Sequence, residues 1–509
     1  MKLHKTILLF AILSWCFGVF ATEAENLIKR INESDNALEK AGLYLKLGDV
    51  FEYSDPAQAI DYYRMAFNTA TSISLSSPQR TLSPEADLLR AKSLRYIGIV
   101  YSDQGEFENA LEAYFEAKDI LTRLKSLYTA PFNTEISTKI AKVLNNIGIV
   151  YSRQGAFGVA KDYYAEALDV YTELQDSLSI AVTYSSMGIV EARVANLTEA
   201  LSFFQQALTI YTSKNNMEGM AQSYNNIGGI YVQLKNWDEA LRLYNQAHDL
   251  YEEMGHKQRV AATKSNMGLV YQLNKEHSKA LEYFTKSLQI RLEINDQVGM
   301  IECYNHLGEL HAELHNFDEA SNYYQKTHEK SLQVGDQRMI ALSLINLGKT
   351  YAFAGNYPMA ISKTLEGLEV ARNHDLKFAE QYAYTHLSSH YASAGDFKNA
   401  YQYSLNHYEI SREILDEQKT RQLNELGIEY KAREKQQLIE MLEKEGEFNH
   451  IKLRQSRTLL VSLALIFFIG LLISIFSILL LKQRGRILLL KKENEAEKAI
   501  KKTDNDLRA

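Results

Sequence analysis

The chain has 509 residues, a net charge of −7, 46% hydrophobic and 23% charged residues, five prolines and two cysteines. That charge balance points away from a nucleic-acid partner, which needs a basic stripe. Five prolines leave room for long uninterrupted helices, and Cys303, alone beyond the first 21 residues, excludes an intramolecular disulfide in a processed chain.

Residues 1–21 read as a secretory signal peptide. Lys2 and Lys5 precede an apolar run over 7–20, and Val19, Phe20 and Ala21 supply a cleavage site before Thr22. An uncleaved anchor is the competing reading, whereas lipidation at Cys16 is disfavoured by the bulk of Trp15. Under either reading the chain beyond residue 21 is exported. Residues 22–46 carry apolar positions at helical spacing (Leu27, Ile31, Leu38, Leu43) and read as an N-terminal capping helix with a polar outer face.

From there to residue 410 one pattern is written repeatedly. Gly148, Tyr151, Gly155, Phe157, Ala160, Tyr164 and Ala167 define it, and the opening glycine returns every forty residues at Gly188, Gly228, Gly268, Gly308 and Gly348, with Ser388 in the last copy. Gly98 and Gly48 open two more copies at a spacing of fifty. Glycine and an aromatic at i and i+3 share one helix face, and so do Ala, Tyr and Ala at spacings of four and three. Each unit is therefore a helical hairpin, and 47–410 is an array of about nine. The first two junctions carry about ten extra residues each, at TSISLSSPQRTLSPE and LKSLYTAPFNT, which are expected to bulge as loops.

This code resembles the tetratricopeptide repeat, with its Gly and aromatic in the first helix and Ala, aromatic, Ala in the second. Departures are Glu191 and His311 at the first aromatic, His277 at the turn aromatic, Ser287 at the last small residue, and Thr364 and Ser404 at the second aromatic. The family's unit is about 34 residues, so longer helices are expected here. The resemblance implies an all-α solenoid, a right-handed superhelix of stacked hairpins.

Residues 411–457 have no proline and are dense in Glu, Lys, Arg, Gln and Leu, which predicts one long helix interrupted at most near Gly446. Its thin apolar edge (Leu423, Leu426, Tyr430, Leu438, Leu442) suits either a cap on the last repeat or a coiled-coil stalk in a homodimer. Residues 458–481 are uncharged and long enough to cross a bilayer as a single transmembrane helix, which takes about 20 residues. Lys482, Arg484, Arg486, Lys491 and Lys492 come next, which agrees with a cytoplasmic tail over 482–509 and an extracytoplasmic array. The expected location is the inner membrane.

A leader, such an array, a charged helix, one spanning helix and a cytoplasmic helix resemble the input half of bacterial membrane sensor histidine kinases. No histidine follows Leu481 and no glycine-rich ATP-binding segment is present, so kinase activity is not carried over. No phosphate-cradling loop, CxxC pair or GxSxG elbow appears either, and the chain is read as neither an enzyme nor a cofactor carrier. His311 with His315, and His386 with His390, are i, i+4 pairs of a kind that can hold a metal. In the first, the glutamate is one place from the HExxH position, and both pairs read as packed or solvated residues.

Asn146, Asn226, Asn266 and Asn346 each stand two residues before a unit glycine. A primary amide donates and accepts, so a row of them can pair with the backbone of an extended peptide, or can fix packing between helices. Long-unit peptide-binding members of the family that this pattern resembles use asparagines at this place for the first purpose. The expected function is a membrane-anchored protein that binds a peptide or protein and relays this to a cytoplasmic signalling partner. Two alternatives are a shortened sensor kinase and an envelope assembly or secretion scaffold.

Overall fold

A computed structural model describes residues 23–52, 54–76, 83–128 and 132–506. The signal-peptide stretch 1–21, with Cys16, and the junction residues 77–82 and 129–131 lie outside the described residues. Nineteen helices and no strand occur among the described residues: α1 covers 23–33, and the first two hairpins are α2 (Ala37–Phe51) with α3 (Pro56–Ser76) and α4 (Pro84–Asp103) with α5 (Phe107–Leu127). Then come α6 (Phe132–Gln154) with α7 (Phe157–Glu173), α8 (Ser177–Arg193) with α9 (Leu197–Ser213), α10 (Met217–Gln233) with α11 (Trp237–Glu253), and α12 (Lys257–Leu273) with α13 (His277–Glu293). The last are α14 (Gln297–Glu313) with α15 (Phe317–Val334), α16 (Gln337–Phe353) with α17 (Tyr357–Asn373), and α18 (Lys377–Ser393) with α19 (Phe397–Asp506).

The N-terminal segment is two helices rather than one. Asn36 breaks it, its Oδ1 accepting from the amides of Leu38 at 2.9 Å and Glu39 at 3.3 Å, so α2 starts afresh and belongs to the first hairpin. Only α1 is left to cap the array, laying Ala24, Leu27 and Ile31 on Leu43 and Leu47. Part of each junction insertion is helical: α3 runs on to Ser76 and α5 to Leu127, because no proline or cap residue stops them sooner.

From α7 onward the forty-residue period resolves into two helices of about 17 residues and two short turns. A 34-residue unit with such turns would hold helices of about 14 residues, so the added length is helix. Each turn passes through one left-handed residue, for example Gly155 at φ 85° and Lys235 at φ 57°. Around Lys235 the amide of Asn236 reaches Tyr231 O at 2.9 Å and that of Lys235 reaches Val232 O at 3.0 Å, which satisfies the helix-end carbonyls.

The unit glycine is a steric requirement. A Cβ on Gly148 would lie 2.6 Å from the Tyr164 ring, and the same close approach pairs Gly98 with Tyr114, Gly188 with Phe204, Gly268 with Phe284 and Gly308 with Tyr324. The departures make sense in these terms. Where Ser388 replaces the glycine, Ser404 replaces the ring, and the Ser388 hydroxyl donates to Ala400 O at 2.9 Å. Opposite Gly348, Thr364 turns its hydroxyl to Ala360 O at 2.8 Å. His311 stacks on Tyr323 with ring centroids 5.4 Å apart, in the place where Tyr271 meets Tyr283 as a tilted pair at 5.2 Å. Glu191 is buried, and Lys161 at 3.0 Å together with the Asn196 amide at 3.0 Å compensates its charge.

First helices of neighbouring hairpins touch one another along the array, as α12, α14, α16 and α18 do, whereas the second helices separate. The first helices consequently line the inner side of the curve. At the far end Ile410 and Ile414 of α19 close the array against Leu368, Ala371, Ala379 and Leu387. This unit extends to Glu429. From Tyr430 on, the second unit is the continuation of α19, and its segment 444–500 contains a stretch long and apolar enough to cross a membrane, with Leu463, Phe467, Leu471 and Phe476 all exposed.

Candidate binding face

The inner face carries a pocket of 1040 Å³ formed by α14, α16 and α18 and bounded by Glu417 of α19. On α16 its lining follows Arg338, Leu342, Asn346, Lys349 and Phe353, spacings of four, four, three and four that keep one stripe facing one way. From α18 come Phe378 and Tyr382, and from α14 Asn305, Glu309 and Glu313. Phe353 is 56% and Phe378 68% exposed, large aromatic surfaces offered at the pocket. Arg338 and Lys349 have no ion-pair partner among the described residues, while Lys377 binds Glu413 at 3.6 Å and also Glu417. The same offsets from the unit glycine give Leu178, Val182 and Ile189 on α8, each at least 40% exposed.

The structure places the four asparagines in different surroundings. Asn346 lines the pocket, buried, and its Oδ1 accepts from the Tyr382 hydroxyl at 3.1 Å. Asn266 donates to Asn225 Oδ1 at 3.1 Å, joining α12 to α10. Asn146 faces the Tyr114 hydroxyl of the preceding hairpin, so this register position also touches the neighbouring unit's packing ring. Among the described residues the Nδ2 atoms of Asn146 and Asn226 have no hydrogen-bond partner, and half a turn of each amide exchanges its donor with its acceptor. The pocket therefore collects one of the four amides, together with Arg338, Lys349, Phe353 and Phe378, which the asparagine pattern does not single out. Their signal was available: they lie on the stripe that the position two before the glycine already defines.

Burial shapes the titration here. His386 is lowered to about 4, first by burial and then by Lys349 and His390, and His390 is lowered to about 4 by burial alone. Both rings are neutral near pH 7. Their stack, 5.8 Å between centroids, and the edge-on Tyr382 against His386 at 4.4 Å make them packing groups of α18. Burial, then Glu309, pushes up the Tyr324 and Tyr382 hydroxyls, so both stay protonated donors at the pocket wall. Among the described residues no cluster of three metal-ligating side chains forms, and His315 packs edge-on to Phe317.

The family described as tetratricopeptide repeat matches residues 139–213, 219–293 and 300–373. These hairpins are tetratricopeptide repeats. Of solved structures, the apo form of RapI superposes with a TM-score of 0.54 at 16% identity, over 74% of this chain and 98% of that one. The signal transduction ATPase PH0952 of Pyrococcus horikoshii, which has a tetratricopeptide repeat sensor, superposes with a TM-score of 0.50 at 16% identity, over 79% and 66%. At such identity the likeness is one of fold. No curated protein matches. The array thus presents an inner face with an amphipathic pocket at its C-terminal end.

Proposed function

We propose that the chain is a membrane-anchored tetratricopeptide protein that holds a peptide or protein segment on its inner face and relays its presence across the inner membrane to a cytoplasmic signalling partner. The 1040 Å³ pocket carries this reading, because it sets an amide, two cations that have no ion-pair partner among the described residues and two exposed aromatic rings around one space. An extended segment offers what these need: backbone donors and acceptors for Asn346, carboxylates for Arg338 and Lys349, and apolar side chains for Phe353 and Phe378. For the membrane part, the support is the apolar stretch in α19 and the basic residues on its C-terminal side.

Selection of displayed random peptides on the full chain in detergent tests the pocket. Asn346→Ala is expected to weaken selected peptides about tenfold, the loss of one well-placed hydrogen bond. Tyr382→Phe leaves the amide but frees its oxygen, and is expected to keep or modestly tighten binding. If no peptide is selected, the peptide reading is wrong. The relay has its own test in affinity capture with the intact chain and with a version ending after Gln483. A kinase, cyclase or regulator retained only by the intact form supports relay, and identical partners for both forms make the chain a tethered scaffold.

A further inference from the structure

α19 does more than leave the array. Ile410 and Ile414 seat it on the last hairpin, the Gln381 amide donates to the Ser411 hydroxyl at 2.8 Å, and Lys377 at the start of α18 bridges to Glu413 and Glu417, one helical turn apart. Glu417 is itself part of the pocket lining. Eight residues further on, about 12 Å along the helix, Glu425 lies against Gly155 in the turn between α6 and α7. A Cβ at Gly155 would meet the Glu425 carboxyl carbon at 2.7 Å. Glu425, Gly427 and Ile428 are half-buried, whereas Leu423 and Leu426 between and beside them are exposed. One short stretch of helix therefore links the last hairpin to a turn six units earlier, and it contributes Glu417 to the pocket lining on the way.

We infer that residues 411–429 are a built-in strap across the inner face, latched by Lys377 to Glu413 and Glu417, and that any segment entering the pocket must share space with this strap or lift it. The inference rests on reading the pocket as a binding site. Its consequence is mechanical: the strap and the apolar stretch belong to one continuous helix, α19, so occupation of the pocket acts directly on that helix. A latch made of ion pairs that solvent reaches suits the task, because such pairs are weak and yield to a competing ligand.

The test uses the full chain without a ligand. Nitroxides on Asp162→Cys and Asn424→Cys, both exposed positions, in a Cys16→Ser background report the distance between the early hairpin and the strap, and the buried Cys303 stays unlabelled. A single narrow distribution is expected. Lys377→Glu should broaden it, and adding Glu417→Lys should narrow it again. In parallel, Phe353→Cys should react with a polyethylene-glycol maleimide about two- to fivefold faster when Lys377 is Glu, the factor an exposed pair controls, while small N-ethylmaleimide reacts at an unchanged rate. A broad distribution in the parent protein overturns the strap, and indifference to Lys377→Glu overturns the latch. Because no peptide is involved, a seated strap combined with failed peptide selection would refute the binding reading alone.

Discussion

Gly148→Ala destabilises the array, whereas Gly42→Ala, the same substitution in an equivalent first helix, stabilises it. Alanine is the better helix former by about 0.8–1.0 kcal/mol, so propensity alone favours both changes. Nothing lies within 4 Å of a Cβ at Gly42, and that position should realise most of the gain. At Gly148 the new methyl meets the Tyr164 ring at 2.6 Å, and the ring, 2% exposed, has nowhere to go. Overpacking of this kind costs about 1–3 kcal/mol, which set against the propensity gain leaves a net loss of up to about 2 kcal/mol. Tyr164→Leu should cost less in the Gly148→Ala background than in the parent, because the two residues share one space. Local hydrogen exchange is the measurement, since a repeat array does not unfold as one cooperative unit. Equal effects at Gly42 and Gly148 would remove the steric account of the repeat.

Acidification loosens the C-terminal hairpin before the rest. His386 and His390 sit at about 4 in the folded chain, against about 6.5 for a free imidazole. The unfolded segment therefore binds more protons than the folded one between these values, so the rings cost nothing above pH 6.5 and stability falls as the pH drops towards 4. A shift of this size in one ring is worth on the order of 3 kcal/mol at pH 4. The two rings stack and titrate as a pair, so the total belongs to both together. Exchange of α18 amides should quicken between pH 6.5 and 4 in the parent protein. It should stay nearly level when His386 and His390 are both replaced by Phe, which keeps the stack and removes the charge. A parent as indifferent to acid as the variant would mean that the rings are solvated or find a counter-ion.

The array was legible in the chain because its rules are local. A glycine where two helices approach, a ring to fill the gap beside it and a period of forty all follow from helix geometry within one unit. Even the exceptions can be read in pairs, as with Ser388 and Ser404. The end of the N-terminal helix at Asn36 was a local signal as well, a capping residue hidden inside continuous apolar periodicity.

The candidate site is different in kind. The sequence by itself determined the stacked hairpins, the stripe on which the four asparagines lie and the apolar stretch near the C-terminus. Only the tertiary structure decided that Asn346 meets Arg338, Lys349, Phe353 and Phe378 around one space, while Asn266 is taken up by Asn225. It also decided that Glu417 and Glu425 return to the array. The reason is that the angle between successive hairpins, small at each junction, accumulates over the whole array. A stripe is set by 3.6 residues per turn, but which parts of it converge depends on the sum of every junction before it.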